Sequence, residues 1–220
     1  MLLTTLLVLH IAVVGYWLGS ELVINSTYRF VIKAAGLPFA ERDRLMDHVM
    51  DADQHVRYAL VLQASLGTAL AALSGLVPGG ETGGWAALAV GAVWLGFVEA
   101  VHRLRDRPVG AMLAAVDRGS RYILMALLIG LALGLLGGGW GLPLWLRWKL
   151  AAFAGVMACG VGIRLSLIDH FRIWGEMRWS GSTPDRETAI WRAYVRATSI
   201  LVLLWIFIAV AVVRSVVKPA

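Results

Sequence analysis

Cysteine is nearly missing from this chain: Cys159 is the only one in 220 residues, and it lies in an apolar stretch. One thiol excludes an intrachain disulfide framework and a cysteine-built metal site. Charge is also scarce. Asp, Glu, Lys and Arg make up 15% of residues and 59% are hydrophobic, against about 25% and about 45–50% in soluble domains. The first apolar block, "MLLTTLLVLHIAVVGYWLGS", lacks the basic start and small-residue cleavage site of a secretory signal, so it is expected to stay as a helix. No stretch is left over for a soluble domain. No internal repeat and no Gly/Pro interruption within an apolar block suggest an inverted-repeat transporter. Methionine forms no Met-x-x-Met run that would favour copper.

What remains is a set of apolar blocks of roughly 20 residues, the length a helix needs to cross hydrocarbon. The mean hydropathy is +0.74. The fold class expected is all-α, a single polytopic membrane bundle over residues 1–220 with six spans, at about 2–24, 57–78, 85–103, 112–138, 146–168 and 193–215. "LVPGGETGG" and "LGGGWGLP" mark turns, and "SGSTPDRE" restarts a helix with Thr183 as N-cap and Pro184 at its first position.

The net charge of +6 does not point to nucleic acid, because the basic residues fall between apolar blocks. Arg29, Lys33, Arg42, Arg44 and Arg57 fill the first connection. Arg103, Arg105, Arg107, Arg118 and Arg121 fill the third, and five arginines lie within 172–196. The other side has only Arg147, Lys149, Arg214 and Lys218. The positive-inside rule then places both termini outside and the long connections in the cytoplasm of a bacterial inner membrane. Trp85, Trp140, Trp145 and Trp148 would form the outer aromatic belt, and Trp174, Trp179 and Trp191 the inner one.

Acids and histidines gather at the inner ends. "VMDADQHVRYAL" precedes the second span, "FVEAVHR" ends the third, and "AAVDRGSRY" sits early in the fourth. Asp51 and His55 are i,i+4, and Glu99 and His102 are i,i+3, so each pair can project from one helix face. Glu21, Asp53, Glu99, His102 and Asp117 thus supply carboxylate and imidazole from four helices, the donor set from which bundles build dinuclear iron or manganese sites. Arg57 and Arg121 would orient these carboxylates and, with His55 as proton carrier, form the candidate catalytic groups, supported by Asp51 and Arg164. The competing explanation is plain ion pairing, since Asp53–Arg57 and Asp117–Arg121 are also i,i+4. His48 and Asp47 belong to the polar face of an amphipathic segment over 38–55.

Nearer the outer side, His10 lies in the first span and Lys149 starts the fifth at a similar depth. A neutral imidazole in a bilayer is either packed or an axial ligand to haem b. "LHIAVVGYWLGSELVINSTYRFV" and "WLRWKLAAFAGVMACGVGIRL" resemble the HemJ-type protoporphyrinogen oxidases and the copper-resistance D-type membrane proteins. "GSEL", "DADQHVR", "VHR", "VDRGSR" and "GIRL" also resemble a group of uncharacterised bacterial membrane proteins. The HemJ-type resemblance implies His10 as haem ligand and Lys149 as a functional basic residue.

The function expected is a membrane-embedded oxidoreductase that carries a dinuclear metal or haem b and acts on a lipid-soluble substrate such as a quinone or porphyrinogen. It would work in the bilayer without nucleic acid, alone, as a homo-oligomer or in a larger membrane complex. The alternatives are a proton- or cation-coupled transporter, or an accessory subunit whose polar cluster glues helices together.

Overall fold

Apolar runs with no internal proline wind into helices longer than the hydrocarbon requires. The computed structural model describes residues 1–217, so Lys218 lies outside the described residues. It holds six helices: α1 (Leu2–Lys33), α2 (Phe39–Leu73), α3 (Gly80–Arg103), α4 (Gly110–Leu133), α5 (Leu144–Ser180) and α6 (Pro184–Val216). Five of them are long and apolar enough to cross a membrane. The exception is α4, where every 18-residue stretch contains Asp117, Arg118 and Arg121.

The expected amphipathic segment over 38–55 is not a separate element. Nothing between Phe39 and Leu73 breaks a helix, so it runs straight into the second span as one rod of 35 residues, about 52 Å. Likewise α5 continues to Ser180 and ends only where Gly181 turns with φ +77°. The fourth helix stops at Leu133, earlier than expected, because Gly134 takes φ +75° and the Leu135 N–H returns to the Gly130 carbonyl. Thr183 caps α6 as expected, its Oγ1 accepting from the Arg186 N–H at 3.4 Å, with Pro184 in the first turn.

The helices pack in chain order as a ring closed by α1 against α6. Trp17, Ala59, Val156, Cys159, Leu204 and Ile208 fill the centre of the apolar half. Close approach of α2 and α3 depends on Gly91, where a Cβ would collide with the Ser65 side chain. The seam between α3 and α4 is the sparsest in the ring.

Beyond the apolar half, α1, α2, α5 and α6 continue as a four-helix extension at the end that carries the basic connections. Tyr28, Val31, Ile32, Met46, Val49, Trp174, Met177, Ile190 and Tyr194 form its core. Trp174, expected in the inner aromatic belt, is therefore a core residue, whereas Trp179 and Trp191 are exposed. Arg42 is 1% exposed; its Nε donates to the Val31 carbonyl at 3.1 Å, and its fork meets both Glu187 oxygens at 2.6 and 3.0 Å. The guanidinium also lies over the Trp174 ring at 5.2 Å. Next to it Arg178 forks onto Asp43, which also accepts from Trp174 Nε1 at 2.8 Å. Asp47 lies 3.6 Å from Arg178, and His48 is exposed, as a polar face requires.

His170 is fully buried in this extension, and neither ring nitrogen has a partner among the described residues. Trp174 stacks on it at 5.5 Å and Tyr28 meets it edge-on at 5.1 Å, with Tyr194 against the far side of Tyr28. Burial first, then the nearby Arg42 charge, push its pKa down from 6.5 to about 4.

Two outcomes follow from this packing. Replacing Arg42 with Ala leaves Glu187 without its guanidinium partner and is expected to cost roughly 3–5 kcal/mol, seen as a lower Tm in detergent, with Arg42→Met milder. An unchanged Tm for Arg42→Ala would refute the clasp. For His170, the unfolded chain takes up a proton below about 6.5 that the folded chain refuses until about 4, so folding stability declines as pH falls through that window. The slope of Tm against pH between those values should flatten in His170→Phe; equal slopes in the two proteins count against it.

Candidate ligand cavity at the inner ends of helices two to five

On α2, Met50, Gln54 and Arg57 fall at i, i+4 and i+7, a single helical stripe. That stripe forms one wall of a cavity of about 290 Å³. Val101 and His102 close it from α3, Arg105 from the following turn, Ala114 and Asp117 from α4, and Arg164 from α5. The helix-end acids and bases singled out in sequence thus meet from four elements, though not all of them reach the cavity.

Two of the lining residues carry a buried acceptor without a partner. Asp117 is 2% exposed; its Oδ2 accepts from Arg121 Nη2 at 2.7 Å, and its Oδ1 has no partner among the described residues. Gln54 is 5% exposed; its Nε2 donates to the Val98 carbonyl at 3.2 Å, and its Oε1 is likewise unpartnered. Buried acceptors without a donor cost about 1–3 kcal/mol each, so such an orphan needs an explanation. Arg57 is held by Asp53 at 3.2 Å. Arg164 is exposed and makes no ion pair or hydrogen bond among the described residues; the acids Asp117 and Glu21 are bound instead to Arg121 and Trp17.

The chain was compared with family models, curated proteins and solved structures. It matches none of them.

The arrangement therefore has to be judged on its own residues. Of the five proposed metal ligands, Asp53 and Asp117 are bound to the arginines one turn on, the ion pairing that competed with the metal reading. Glu99 is held by Tyr58 and Arg103 and does not line the cavity with His102. Glu21 is buried and accepts from Trp17 Nε1 at 3.3 Å. Among the described residues no three of His, Cys, Asp and Glu converge as a metal site would require. His55 does not face the cavity with its i,i+4 neighbour Asp51. It is exposed and shares a 2.7 Å hydrogen bond with the Tyr16 hydroxyl, while Asp51 stands 3.9 Å from Arg105.

His10 and Lys149, by contrast, do meet. Lys149 Nζ lies 3.4 Å from His10 Nε2 across the α1–α5 interface, and Gln63 Nε2 donates to the His10 carbonyl at 2.8 Å. An ammonium has only donors, so Nε2 must be the acceptor and Nδ1 carries the proton. A haem iron needs that same lone pair facing open space; here it faces Lys149, and Gly67 borders the ring. The pair does not fit iron ligation in this arrangement.

Sequence inspection passed over Gln54, although it sits inside "DADQHVR". A neutral amide gives no charge signal, and only its burial and its empty Oε1 expose it. Arg105 and Met50 were missed for a different reason, since a loop cation and an interface methionine are common everywhere.

With the carboxylates held by arginines, protein purified from iron- and manganese-supplemented cells and washed with chelator is expected to carry no stoichiometric metal. Elemental analysis finding a pair of ions that His102→Ala removes would show that the ligands regroup.

Proposed function

We propose that this chain is a six-span inner-membrane protein, termini outside, that takes the polar end of a lipid-soluble molecule into the cavity between α2, α3, α4 and α5. The observation that carries this reading is the cavity wall itself. Asp117 and Gln54, each with a buried unpartnered acceptor, line it together with His102 and three arginines, Arg57, Arg105 and the exposed Arg164. Polar groups at membrane depth are costly unless matched, and a cavity lined by three arginines, a carboxylate and an imidazole suits the polar end of a ligand.

Chemically the wall combines a carboxylate and an imidazole with three arginines, Arg57, Arg105 and Arg164. His102 and Asp117 supply a proton-exchanging pair beside the bound polar end, and Arg57 and Arg164 stabilise negative charge on it. A metal or haem would add electron transfer, the remaining part of an oxidoreductase. The donor sets found here fit neither, so the reading rests on binding and proton exchange. The fourth helix crosses in this reading because Asp117 and Arg121 neutralise each other and Asp117 is buried at the cavity rather than in lipid.

The test is co-purification. Wild-type protein extracted in mild detergent should retain an amphiphile detectable by mass spectrometry of the denatured sample. The Asp117→Asn, Arg164→Gln double variant should lose most of it, about tenfold or more if each contact to a charged group is worth about 1.5–3 kcal/mol. Equal retention by the two proteins defeats the proposal.

A further inference from the structure

Two helices at the basic end carry cations that no acid of the chain answers. On α1, Asn25, Arg29 and Lys33 recur every four residues and form one stripe of the helix. On α6, Trp191, Val195 and Thr198 form another. The stripes run side by side: Thr198 Oγ1 donates to Asn25 Oδ1 at 3.1 Å, and Lys33 Nζ sits over the Trp191 ring at 5.8 Å. Joined at those two points, the antiparallel helices bring Arg29 level with Val195. Arg192 and Arg196 follow on the next row round α6. Trp191, Val195 and all four cations are exposed, so two basic rows flank an apolar ridge.

The strip holds no acid. Beyond Glu21 there is none on α1, beyond Glu187 none on α6, and none of the four cations is ion-paired among the described residues. Elsewhere on this side cations are matched: Arg42 holds Glu187, Arg103 holds Glu99 and Arg178 holds Asp43. The height is fixed as well. The apolar run of α1 stops at Ile24 and that of α6 starts at Ile200, so Asn25 and Thr198 mark the rim of the hydrocarbon. The four cations follow within about 12 Å at 1.5 Å per residue, a distance over which long side chains reach back to headgroups. On the other side of the rim the same two faces continue as exposed Leu22 and Val202. The strip therefore passes directly into the apolar surface that faces lipid.

We propose that this strip binds anionic phospholipid of the cytoplasmic leaflet, the phosphates held between Arg29 and Lys33 on one side and Arg192 and Arg196 on the other. Clusters of four or more cations beside a span attract anionic lipid, and Trp191 and Val195 between the rows suit the boundary of headgroup and acyl chain. The assignment rests on the membrane orientation proposed above. It does not use the cavity, whose walls come from neither α1 nor α6.

The experiment offers the full chain, delipidated in detergent, an equimolar mixture of phosphatidylglycerol and phosphatidylcholine with the same acyl chains. Native mass spectrometry reads the ratio bound. Wild type is expected to favour phosphatidylglycerol about tenfold, and severalfold less as ammonium acetate rises from about 0.1 to 1 M. The four-site variant Arg29→Gln, Lys33→Gln, Arg192→Gln, Arg196→Gln should bind the two lipids equally. Arg29→Lys, Arg192→Lys, Arg196→Lys keeps the charge and should keep the preference. So should Arg103→Gln, Arg107→Gln, which removes two exposed cations from the α3–α4 turn instead.

Equal binding of the two lipids by wild type, or a preference that survives in the four-site variant, overturns the proposal. If the α3–α4 turn variant erases the preference just as fully, it belongs to total charge and the strip assignment falls. A polyglutamate peptide that binds wild type but not the four-site variant, with the lipids bound equally, makes the strip a protein-docking surface instead. Failure of the cavity test leaves this result standing, because the four-site variant alters no cavity residue. Labelling of Lys33→Cys from the outer side of the membrane removes both readings.

Discussion

The buried guanidinium of Arg42 holds the long helices in register. It reaches a backbone carbonyl on α1, both carboxylate oxygens of Glu187 on α6 and the Trp174 ring on α5, all from one side chain on α2. An arginine taken out of water is costly unless its donors are met, so the position is stable only with all three neighbours in place. The consequence reaches well beyond the extension. Because α2 is continuous from Phe39 to Leu73, fixing Arg42 also fixes the rotation of the rod that carries Gln54 and Arg57 three and four turns later. The same holds for α5, where Trp174 anchors the helix that carries Arg164.

The remaining helices have no such clasp. Both α3 and α4 are 24 residues long, end at the level where the extension begins, and touch each other least. Instead α3 rests on α2 through the Gly91–Ser65 approach, and α4 rests on α5 through Leu128, Ala154 and Met157. Each is committed to an opposite neighbour, and the seam between them is left open. That opening creates the polar cavity, so the place least well packed in the ring is also the place with room for a ligand.

Inside the bundle, polarity is handled in two ways. Asp53 with Arg57, and Asp117 with Arg121, neutralise each other along a single helix, which needs no partner from elsewhere. Lys149 and Gln63 instead reach His10 from two other helices, at its Nε2 and its carbonyl, and tie α1, α2 and α5 together, with His10 Nδ1 left unpartnered among the described residues. Asp117 Oδ1 and Gln54 Oε1 are among the buried atoms that neither device covers, and both residues line one cavity together with Arg57, Arg105 and Arg164.

From sequence alone, hydropathy and helix punctuation determine much of this protein: the all-helical class, the cap at Thr183, the glycine turns, the i,i+4 ion pairs, and the shared depth of His10 and Lys149. These are local properties or sums along one helix, and 1.5 Å per residue converts them directly into height. Rotation about each helix axis is not local. Whether Glu99 faces His102 or Tyr58, whether Trp174 meets headgroups or Arg42, and whether His55 turns to the cavity or to Tyr16 depend on which neighbour each helix packs against. Sequence set the level of every acid and base; only the packing of α2, α3, α4 and α5 decided which of them share a cavity, because side chains at one height still point in different directions until the helices are docked.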